Sequence, residues 1–168
     1  MEGWDGFSLT CTMWQERMKA MGEPAFRGRQ IFGWLHDKQV SSYQQMSNLP
    51  QTLRERLAVE MPLQPMQKSL VQHSAKDGTR KYLMRLADGE SIETVYMRYH
   101  YGASLCISSQ VGCKMGCRFC ASTLSGKVRD LTPGEMVQQL YLAEQDTREK
   151  ITHVVVMGCG EPFDNYEA

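Results

Sequence analysis

The spacing of apolar residues predicts three successive regions along the chain. Up to about residue 62, apolar side chains recur at every third or fourth position, which is the pattern of amphipathic helices. One predicted helix ends at Gly22, a second covers residues 25–36 and a third begins near Pro50. We therefore expect residues 1–65 to form a helical domain.

From about residue 66 the period changes to two. Apolar and polar residues alternate around the turn signals Asp77-Gly78 and Asp88-Gly89, a pattern typical of β-hairpins, so a hairpin region is predicted over residues 66–100. Between residues 68 and 85, one acid stands against a basic strip that comprises Lys68, Lys76, Arg80, Lys81 and Arg85. The basic strip is consistent with a solvated strand face or with a surface that contacts phosphates.

The third region combines both periods. A short strand is predicted over residues 105–109, a helix over 133–145 and a β-branched strand over 151–157. Strand, helix and strand of this length form a βαβ unit with parallel strands. The loops 110–121 and 158–162 then both follow the carboxyl ends of parallel strands, where α/β proteins bind ligands.

Composition narrows the class of protein. The chain has 168 residues, of which 42% are hydrophobic and 23% charged, enough apolar content for a folded core. Nineteen basic residues balance nineteen acidic ones, which argues against nucleic-acid binding through bulk charge but leaves a local basic patch open. No apolar run reaches the ~18 residues of a membrane helix, and no secretory leader pattern is present, so we expect a cytoplasmic protein without a membrane partner.

Cysteine spacing carries the strongest chemical signal. Four of the six cysteines fall within fifteen residues, which in a reducing compartment indicates a metal or redox site rather than disulfides. Cys113, Cys117 and Cys120 form a Cys-x3-Cys-x2-Cys loop whose thiolates can hold one face of an iron–sulfur cube and leave one iron open. A zinc site with His100 or His153 as fourth ligand, or a set of structural thiols, remains an alternative.

Five segments together resemble one known family. They are GEPAFRGRQIFGWLH at 22–36, MSNLP at 46–50, KDGTRKYLMRLADGESIETVYM at 76–97, CISSQVGCKMGCRFCAST at 106–123 and VVMGCGEPFDNY at 155–166. In these segments the chain is similar to the RlmN/Cfr group of radical S-adenosylmethionine (SAM) RNA methyltransferases, and to its RlmN branch in particular. Members of that branch methylate C2 of an adenosine in 23S ribosomal RNA and in certain tRNAs, whereas Cfr-type relatives methylate C8.

The resemblance implies two cofactors and their ligands. Cys113, Cys117 and Cys120 would hold a [4Fe-4S] cluster, and Gly160 and Glu161 would contact SAM. Glycine permits close backbone approach, and a carboxylate suits the ammonium group of SAM. In the family, an external electron donor of the flavodoxin kind reduces the cluster, which cleaves one SAM to a radical. Another SAM supplies the methyl group through a cysteine near the C-terminus.

Two further residues match family positions with catalytic roles. Cys106 would remove the C2 proton from the RNA-linked intermediate and release the product, while a buried structural thiol is its other interpretation. Glu93 would act as a proton acceptor, or be a solvated acid on a strand. The N-terminal helices and the hairpin region would contact the RNA.

The expected fold class is α/β. It comprises a helical accessory domain over residues 1–65, a β-hairpin region over 66–100 and the first strands of a radical SAM partial (β/α) barrel over 101–168. The methyl-carrying cysteine of the family has no counterpart here, so we expect a truncated barrel that is inactive by itself. Because a short barrel leaves the strand over 151–157 without a second neighbour, an open sheet edge is expected there.

A non-catalytic Fe–S or zinc module that binds RNA is the alternative function, favoured by the neutral charge and the missing cysteine. A radical SAM enzyme of another reaction type is a third, because a cluster motif does not specify the substrate. Anaerobic reconstitution separates the first two. A [4Fe-4S] signal that SAM perturbs favours the methyltransferase, whereas a colourless protein with one zinc favours the module.

The sequence therefore predicts that the purified chain methylates no RNA when it is supplied with SAM and a reductant, because the methyl-carrying cysteine is missing. Incorporation of a labelled methyl group from SAM into 23S rRNA or tRNA is the measurement. Turnover by this chain alone would contradict the expectation of a fragment.

Overall fold

The computed structural model describes residues 5–167, and the chain divides into two compact units, Met1–Pro65 and Met66–Ala168. The first four residues of the segment searched for a leader lie outside the described range. No helix between residues 5 and 167 is both long enough and apolar enough to cross a membrane. Each unit has its own buried apolar cluster.

Helices dominate the first unit, as the spacing of its apolar residues predicted. They are α1 (Cys11–Ala20), α2 (Phe26–His36) and α3 (Gln51–Glu60). The Thr10 hydroxyl caps α1 by accepting a hydrogen bond from the Met13 amide at 3.3 Å. Trp14 is fully buried, and its indole N–H donates to the Gly6 carbonyl at 3.0 Å. The indole therefore belongs to the core of this unit, together with Met18, Ile31, Leu35, Met46, Leu53 and Leu57.

Strands organise the second unit. They are β1 (Gln67–His73), β2 (Arg80–Arg85), β3 (Ser91–Tyr99), β4 (Gly102–Cys106), β5 (Gln110–Gly112), β6 (Lys127–Asp130) and β7 (Ile151–Val155). Within the described residues, one sheet has the order β1-β2-β3-β4-β7, and β5 pairs with β6 in a separate antiparallel ribbon. Neighbours from β1 to β4 are antiparallel, whereas β4 and β7 are parallel. A single sheet thus runs through the predicted hairpin region and the predicted start of the barrel.

One long helix, α4 (Pro133–Thr147), connects the ribbon to β7. Its start is a capping box: the Thr132 hydroxyl accepts from the Glu135 amide at 3.1 Å, and the Thr132 amide donates to the Glu135 carboxylate at 2.9 Å. The apolar face of α4 packs on the sheet through Met136, Leu140 and Ala143. The predicted βαβ unit with parallel strands is confirmed in β4, α4 and β7.

The strand predicted over residues 105–109 lies three residues earlier, as β4. After Cys106 the backbone amides find other partners: Ile107 donates to the Val155 carbonyl and Ser108 to the Gln139 side chain, both at 2.9 Å. Apolar periodicity carries no information about these partners, because they lie more than thirty residues away in the sequence. The polar segment after β4 is therefore a junction between loops rather than a strand.

Within residues 5–167 the strand β7 forms an edge of the sheet, which agrees with the open edge expected there. Its β-branched sequence is typical of a strand buried on both faces, yet Val154 is 43% exposed and Val155 37% exposed. Within the part of the chain that the structure describes, β7 has β4 as its neighbour on one side and no strand on the other. The exposure follows from that edge position.

Asp146, near the end of α4, binds part of the basic strip. Its carboxylate accepts hydrogen bonds from Lys68, from Arg80 at 2.6 Å and from the Tyr82 hydroxyl at 3.0 Å. Lys81 pairs with a second carboxylate, that of Glu93, at 2.6 Å. Three of the five basic side chains are thus bound to acids of the same unit, which favours a solvated, internally paired strand face over a surface free to contact phosphates.

The Asp146 contacts predict a dependence of stability on pH. Burial opposes ionisation of Asp146, but hydrogen bonds from Lys68, Arg80 and Tyr82 outweigh it and lower the pKa to about 2. A carboxyl with a lowered folded pKa stabilises the fold above its unfolded value, and that stability disappears as the pH falls towards the folded value. We expect Asp146→Asn to lower the free energy of unfolding at neutral pH by about 1 kcal/mol, allowing for solvent screening.

Urea unfolding at a series of pH values measures this effect. The difference between wild type and Asp146→Asn should shrink between about pH 4 and pH 2. Glu90→Gln, which removes an exposed carboxylate from the turn before β3, is the matched control and should leave the profile unchanged. A constant difference across the whole range would contradict the assignment.

Candidate cofactor site

Two loops follow the carboxyl ends of the parallel strands β4 and β7, and backbone hydrogen bonds join them. The Gly158 amide donates to the Ile107 carbonyl at 2.9 Å. The Cys159 carbonyl accepts from the Ser109 amide at 2.9 Å and from the Gln110 amide at 3.1 Å. The segment that leads to the predicted cluster cysteines is therefore held directly against the predicted SAM loop.

Gly160 lies where the two loops approach most closely. Its φ of 110° is a conformation that side chains rarely adopt. A Cβ at this position would lie 2.7 Å from the Ser109 hydroxyl and 2.7 Å from the Gln110 Cγ atom. Glycine at this position is thus required by contact with the chain itself, as well as being suited to close approach by a ligand.

The next residue, Glu161, is half-buried and begins a 3₁₀ turn at Pro162–Asn165. Its carboxylate oxygen Oε1 accepts from the Phe163 amide at 3.0 Å, and its own amide donates to the Gln110 side-chain carbonyl at 3.0 Å. The bond from the Phe163 amide holds the carboxylate in the loop after β7, and the bond to Gln110 holds the backbone of the same residue. The carboxylate therefore presents a negative charge at the strand ends, which suits an ammonium group.

The Ser109 hydroxyl is an unusual feature of this loop pair. It is buried, and it has no hydrogen-bond partner among the residues described here. Unpaired buried hydroxyls cost free energy and are rare in folded proteins. An unpaired hydroxyl beside Gly160 is consistent with a loop that binds a polar group of a ligand, and SAM carries such groups.

The cysteine loop is closed by the ribbon of β5 and β6. The Cys113 amide donates to the Gly126 carbonyl at 3.1 Å, and the Cys120 amide donates to the Cys117 carbonyl at 3.0 Å. Cys113 is buried, Cys120 is half-buried and Cys117 is exposed. All three thiols therefore lie on one short, closed loop.

The residue types of this loop suit an iron–sulfur cluster. Three thiols on one loop supply the soft sulfur ligands that iron–sulfur clusters require. Among residues 5–167, no group of three or more His, Cys, Asp or Glu side chains is arranged to hold a metal ion. The structure thus brings the three cysteines onto one loop without converging their side chains.

Exposed apolar side chains surround both loops. Phe119, just before the third cysteine, is 94% exposed. The others are Met115, Leu124, Met157, Phe163 and Tyr166. Apolar surface of this extent is typical of a place where a ligand or another part of a protein binds.

Cys106 and Glu93 lie on one face of the sheet. Cys106 pairs with Val95 across β3 and β4, and Glu93 precedes Val95 by two residues, so the alternation of strands points both side chains to the same side. Burial raises the pKa of the half-buried Cys106 thiol, and a hydrogen bond with the Met157 backbone partly opposes that shift. The Glu93 carboxylate is exposed and pairs with Lys81 at 2.6 Å.

The two histidines considered as zinc ligands lie with Tyr101. Its ring centroid is 5.1 Å from that of His100 and 5.3 Å from that of His153. His100 precedes β4, whereas the cysteine loop follows it. The length of the strand therefore separates His100 from the three cysteines.

Sequence reasoning missed the polar residues that connect the loops. Gln139 of α4 accepts from the Ser108 amide and donates to the Ser108 carbonyl, both at 2.9 Å. The Ser108 hydroxyl accepts from the Cys159 amide at 2.9 Å and donates to the Glu93 carbonyl at 2.7 Å. The available signal was the run Ser108-Ser109-Gln110, three polar residues in a position where apolar spacing predicted a strand end.

Comparison with solved structures identifies the class of this fold. The chain matches the crystal structure of a radical SAM methyltransferase from Sphaerobacter thermophilus with a TM-score of 0.90 and 43% sequence identity. The match covers 98% of this chain and 49% of that chain. The α/β architecture predicted from the sequence is thereby confirmed as that of a radical SAM methyltransferase.

Sequence comparisons show which proteins the chain resembles. Residues 7–62 match the family model described as the ribosomal RNA large subunit methyltransferase N-terminal domain. A probable dual-specificity RNA methyltransferase RlmN from Lachnospira eligens is 52% identical over 150 residues, which cover 89% of this chain and 43% of the relative. One from Geobacillus thermodenitrificans is 48% identical over 165 residues, which cover 96% of this chain and 45% of the relative. The chain is thus similar to RlmN proteins over most of its own length and spans less than half the length of these curated relatives.

The closure of the cysteine loop predicts different effects for two neighbouring glycines. Gly112 and Gly126 both have a φ of 70°. A Cβ on Gly112 would lie 1.9 Å from the Gly126 carbonyl oxygen, which is a severe clash. A Cβ on Gly126 would meet no atom within 4 Å. Both alanine variants incur the cost of a left-handed backbone, roughly 1–2 kcal/mol. We expect Gly112→Ala to lower the free energy of unfolding by a further ~1–3 kcal/mol because of the clash.

Urea unfolding of the two variants is the measurement. Gly126→Ala is the matched control for the backbone cost. Equal destabilisation by both substitutions would contradict the close contact at the base of the loop.

Proposed function

We propose that this chain supplies the cluster-binding and SAM-binding part of a cytoplasmic RNA methyltransferase that acts on C2 of an adenosine in 23S rRNA and in certain tRNAs. The observation that carries the proposal is the pairing of the two loops at the carboxyl ends of β4 and β7. The backbone of 107–110 holds the approach to the cysteines against the loop that contains Gly160 and Glu161. Two cofactors that react with each other require such adjacent binding loops.

In this proposal Cys113, Cys117 and Cys120 hold the [4Fe-4S] cluster through their thiolates. Three ligands leave one iron open, and an open position is where a second cofactor binds. Gly160 and Glu161 bind the amino group of SAM. The backbone at Gly160 carries no side chain to block approach, and the Glu161 carboxylate complements a positive ammonium group.

The target atom explains the need for two cofactors. Carbon 2 of adenine has no nucleophilic lone pair, so direct attack on the SAM methyl group is not available to it. When bound, the cluster and SAM supply radical chemistry that such a carbon requires. An external electron donor of the flavodoxin kind is the proposed partner that reduces the cluster.

Cys106 and Glu93 are the proposed proton-handling residues. Cys106 removes the C2 proton of the RNA-linked intermediate, which releases the methylated product, and Glu93 serves as a proton acceptor. Their position on one face of adjacent strands supports a common target. The raised pKa of the Cys106 thiol makes its thiolate, once formed, a stronger base.

Anaerobic reconstitution of this chain with iron and sulfide tests the cofactor part of the proposal. We expect a [4Fe-4S] optical signal and, after reduction with dithionite, an EPR signal that changes when SAM is added. Replacing any one of the three cysteines, Cys113, Cys117 or Cys120, with alanine should abolish the signal, because each substitution removes one of the three ligands. Cys11→Ala, which lies in the helical unit, is the matched control and should retain it.

Two results would contradict the cofactor assignment. One is a colourless protein that binds one zinc through the same cysteines, which would instead favour a zinc module that binds RNA. The other is a cluster whose EPR signal is indifferent to SAM.

A chimera tests the catalytic part. Residues 1–168 would replace the matched part of the Geobacillus thermodenitrificans relative, and 2-methyladenosine in rRNA and tRNA would be quantified by mass spectrometry. We expect Cys106→Ala to accumulate RNA-linked protein and Glu93→Gln to lower turnover, on the order of 100-fold for loss of a positioned acid or base. Cys159→Ala is the control with no proposed proton-transfer role.

Methylation by Cys106→Ala at the rate of the unsubstituted chimera would contradict the role of that thiol. Methylation at C8 rather than C2 would contradict the assignment to the RlmN reaction.

A further inference from the structure

We propose that Gln110 is a positioning residue that holds the Glu161 loop in place for SAM. The inference rests on the proposed function, because it concerns how the SAM loop is kept beside the cluster loop. Gln110 lies three residues before Cys113, at the start of β5, and it is fully buried. We do not propose that Gln110 itself contacts either cofactor.

The hydrogen bonds of Gln110 reach both loops. Its side-chain oxygen Oε1 accepts from the Glu161 amide at 3.0 Å. Its side-chain nitrogen Nε2 donates to the Asp130 carboxylate oxygen Oδ1 at 2.8 Å, and its backbone amide donates to the Cys159 carbonyl. One side chain therefore connects the ribbon that closes the cysteine loop to the residue proposed to bind the SAM amino group.

The chemistry of the site requires an amide. Gln110 must accept a hydrogen bond from the Glu161 amide on one atom and donate a hydrogen bond to the Asp130 carboxylate from the other, and an amide side chain does both. A leucine of similar size does neither. A carboxylate at this position would accept from the Glu161 amide but would repel Asp130.

Neighbouring contacts fix Gln110 before any cofactor binds. The Ser108 amide and carbonyl are both bonded to Gln139 of α4. The Ser109 carbonyl accepts from the Leu131 amide at 3.0 Å and from the Asn165 side chain at 2.9 Å. Because these bonds involve atoms other than the Gln110 side chain, replacing that side chain frees the Glu161 amide while the backbone bonds between the loops remain.

A purely structural role for Gln110 would make different predictions. A buried glutamine that only stabilises the fold would, when replaced, lower stability without a selective effect on SAM. Gln138 offers the matched control. It is buried in the same unit, and its side-chain oxygen accepts from the Met66 amide at 2.8 Å, outside both loops.

The test compares Gln110→Leu, Gln138→Leu and the wild-type chain after reconstitution with iron and sulfide. We expect Gln110→Leu to keep its iron content but to raise the dissociation constant for SAM about tenfold, because one hydrogen bond that fixes the binding loop is lost. Gln138→Leu should lower stability to a similar extent and leave SAM affinity unchanged. SAM affinity equal to wild type in Gln110→Leu, or equal losses in both variants, would overturn the proposal.

A double substitution provides a rescue. Gln110→Glu alone places two carboxylates in contact, whereas Gln110→Glu combined with Asp130→Asn exchanges donor and acceptor and restores both hydrogen bonds. We expect SAM affinity of the double variant to return to within about threefold of wild type. A double variant no better than Gln110→Glu would count against the proposal.

Hydrogen exchange in the chain without cofactors separates this proposal from the proposed function. The Glu161 amide should exchange faster in Gln110→Leu than in wild type, and at the wild-type rate in Gln138→Leu. A Glu161 amide as protected in Gln110→Leu as in wild type would overturn the positioning role. Should the wild-type chain bind no SAM, the proposed function fails, and the exchange rates still decide whether Gln110 holds the loop.

Discussion

The hydrogen bonds between residues 107–110 and the loop after β7 are the constraint on which the second unit depends. Backbone groups of Ile107, Ser109 and Gln110 bond to backbone groups of Gly158 and Cys159. These bonds satisfy the backbone polar groups of the segments that follow β4 and β7, where strand pairing has ended. The same bonds bring the cysteine loop and the loop proposed to bind SAM together, so the stability of the strand ends and the placement of these two candidate cofactor loops have one physical origin.

Burial makes this junction specific. Ser108, Ser109 and Gln110 are all nearly or fully buried, and a buried polar group without a partner costs free energy. Gln139 satisfies both backbone groups of Ser108, which ties the junction to α4 and hence to the core of the unit. A displaced loop would leave several of these groups unpaired at once, which favours a single arrangement.

Much of the secondary structure could be predicted because it follows from local spacing. The helices of the first unit, the turns at Gly78 and Gly89 and the capped start of α4 depend on residues close in sequence. The ribbon of β5 and β6 and the early end of β4 could not be predicted. They depend on hydrogen bonds that neither apolar spacing nor a turn signal reports, such as the Cys113 amide with the Gly126 carbonyl and the Ser108 amide with the Gln139 side chain.

The sequence by itself determined the chemistry of the candidate site, because three closely spaced cysteines and a Gly-Glu-Pro turn are properties of residue type and order. The tertiary structure decided which residues hold that chemistry in place. Gly160 is required by contact with Ser109 and Gln110, and Glu161 bonds to Gln110 across 51 positions of the chain. Contacts over such separations arise when the strands pair and α4 covers the sheet, so they follow from the fold as a whole rather than from any local pattern.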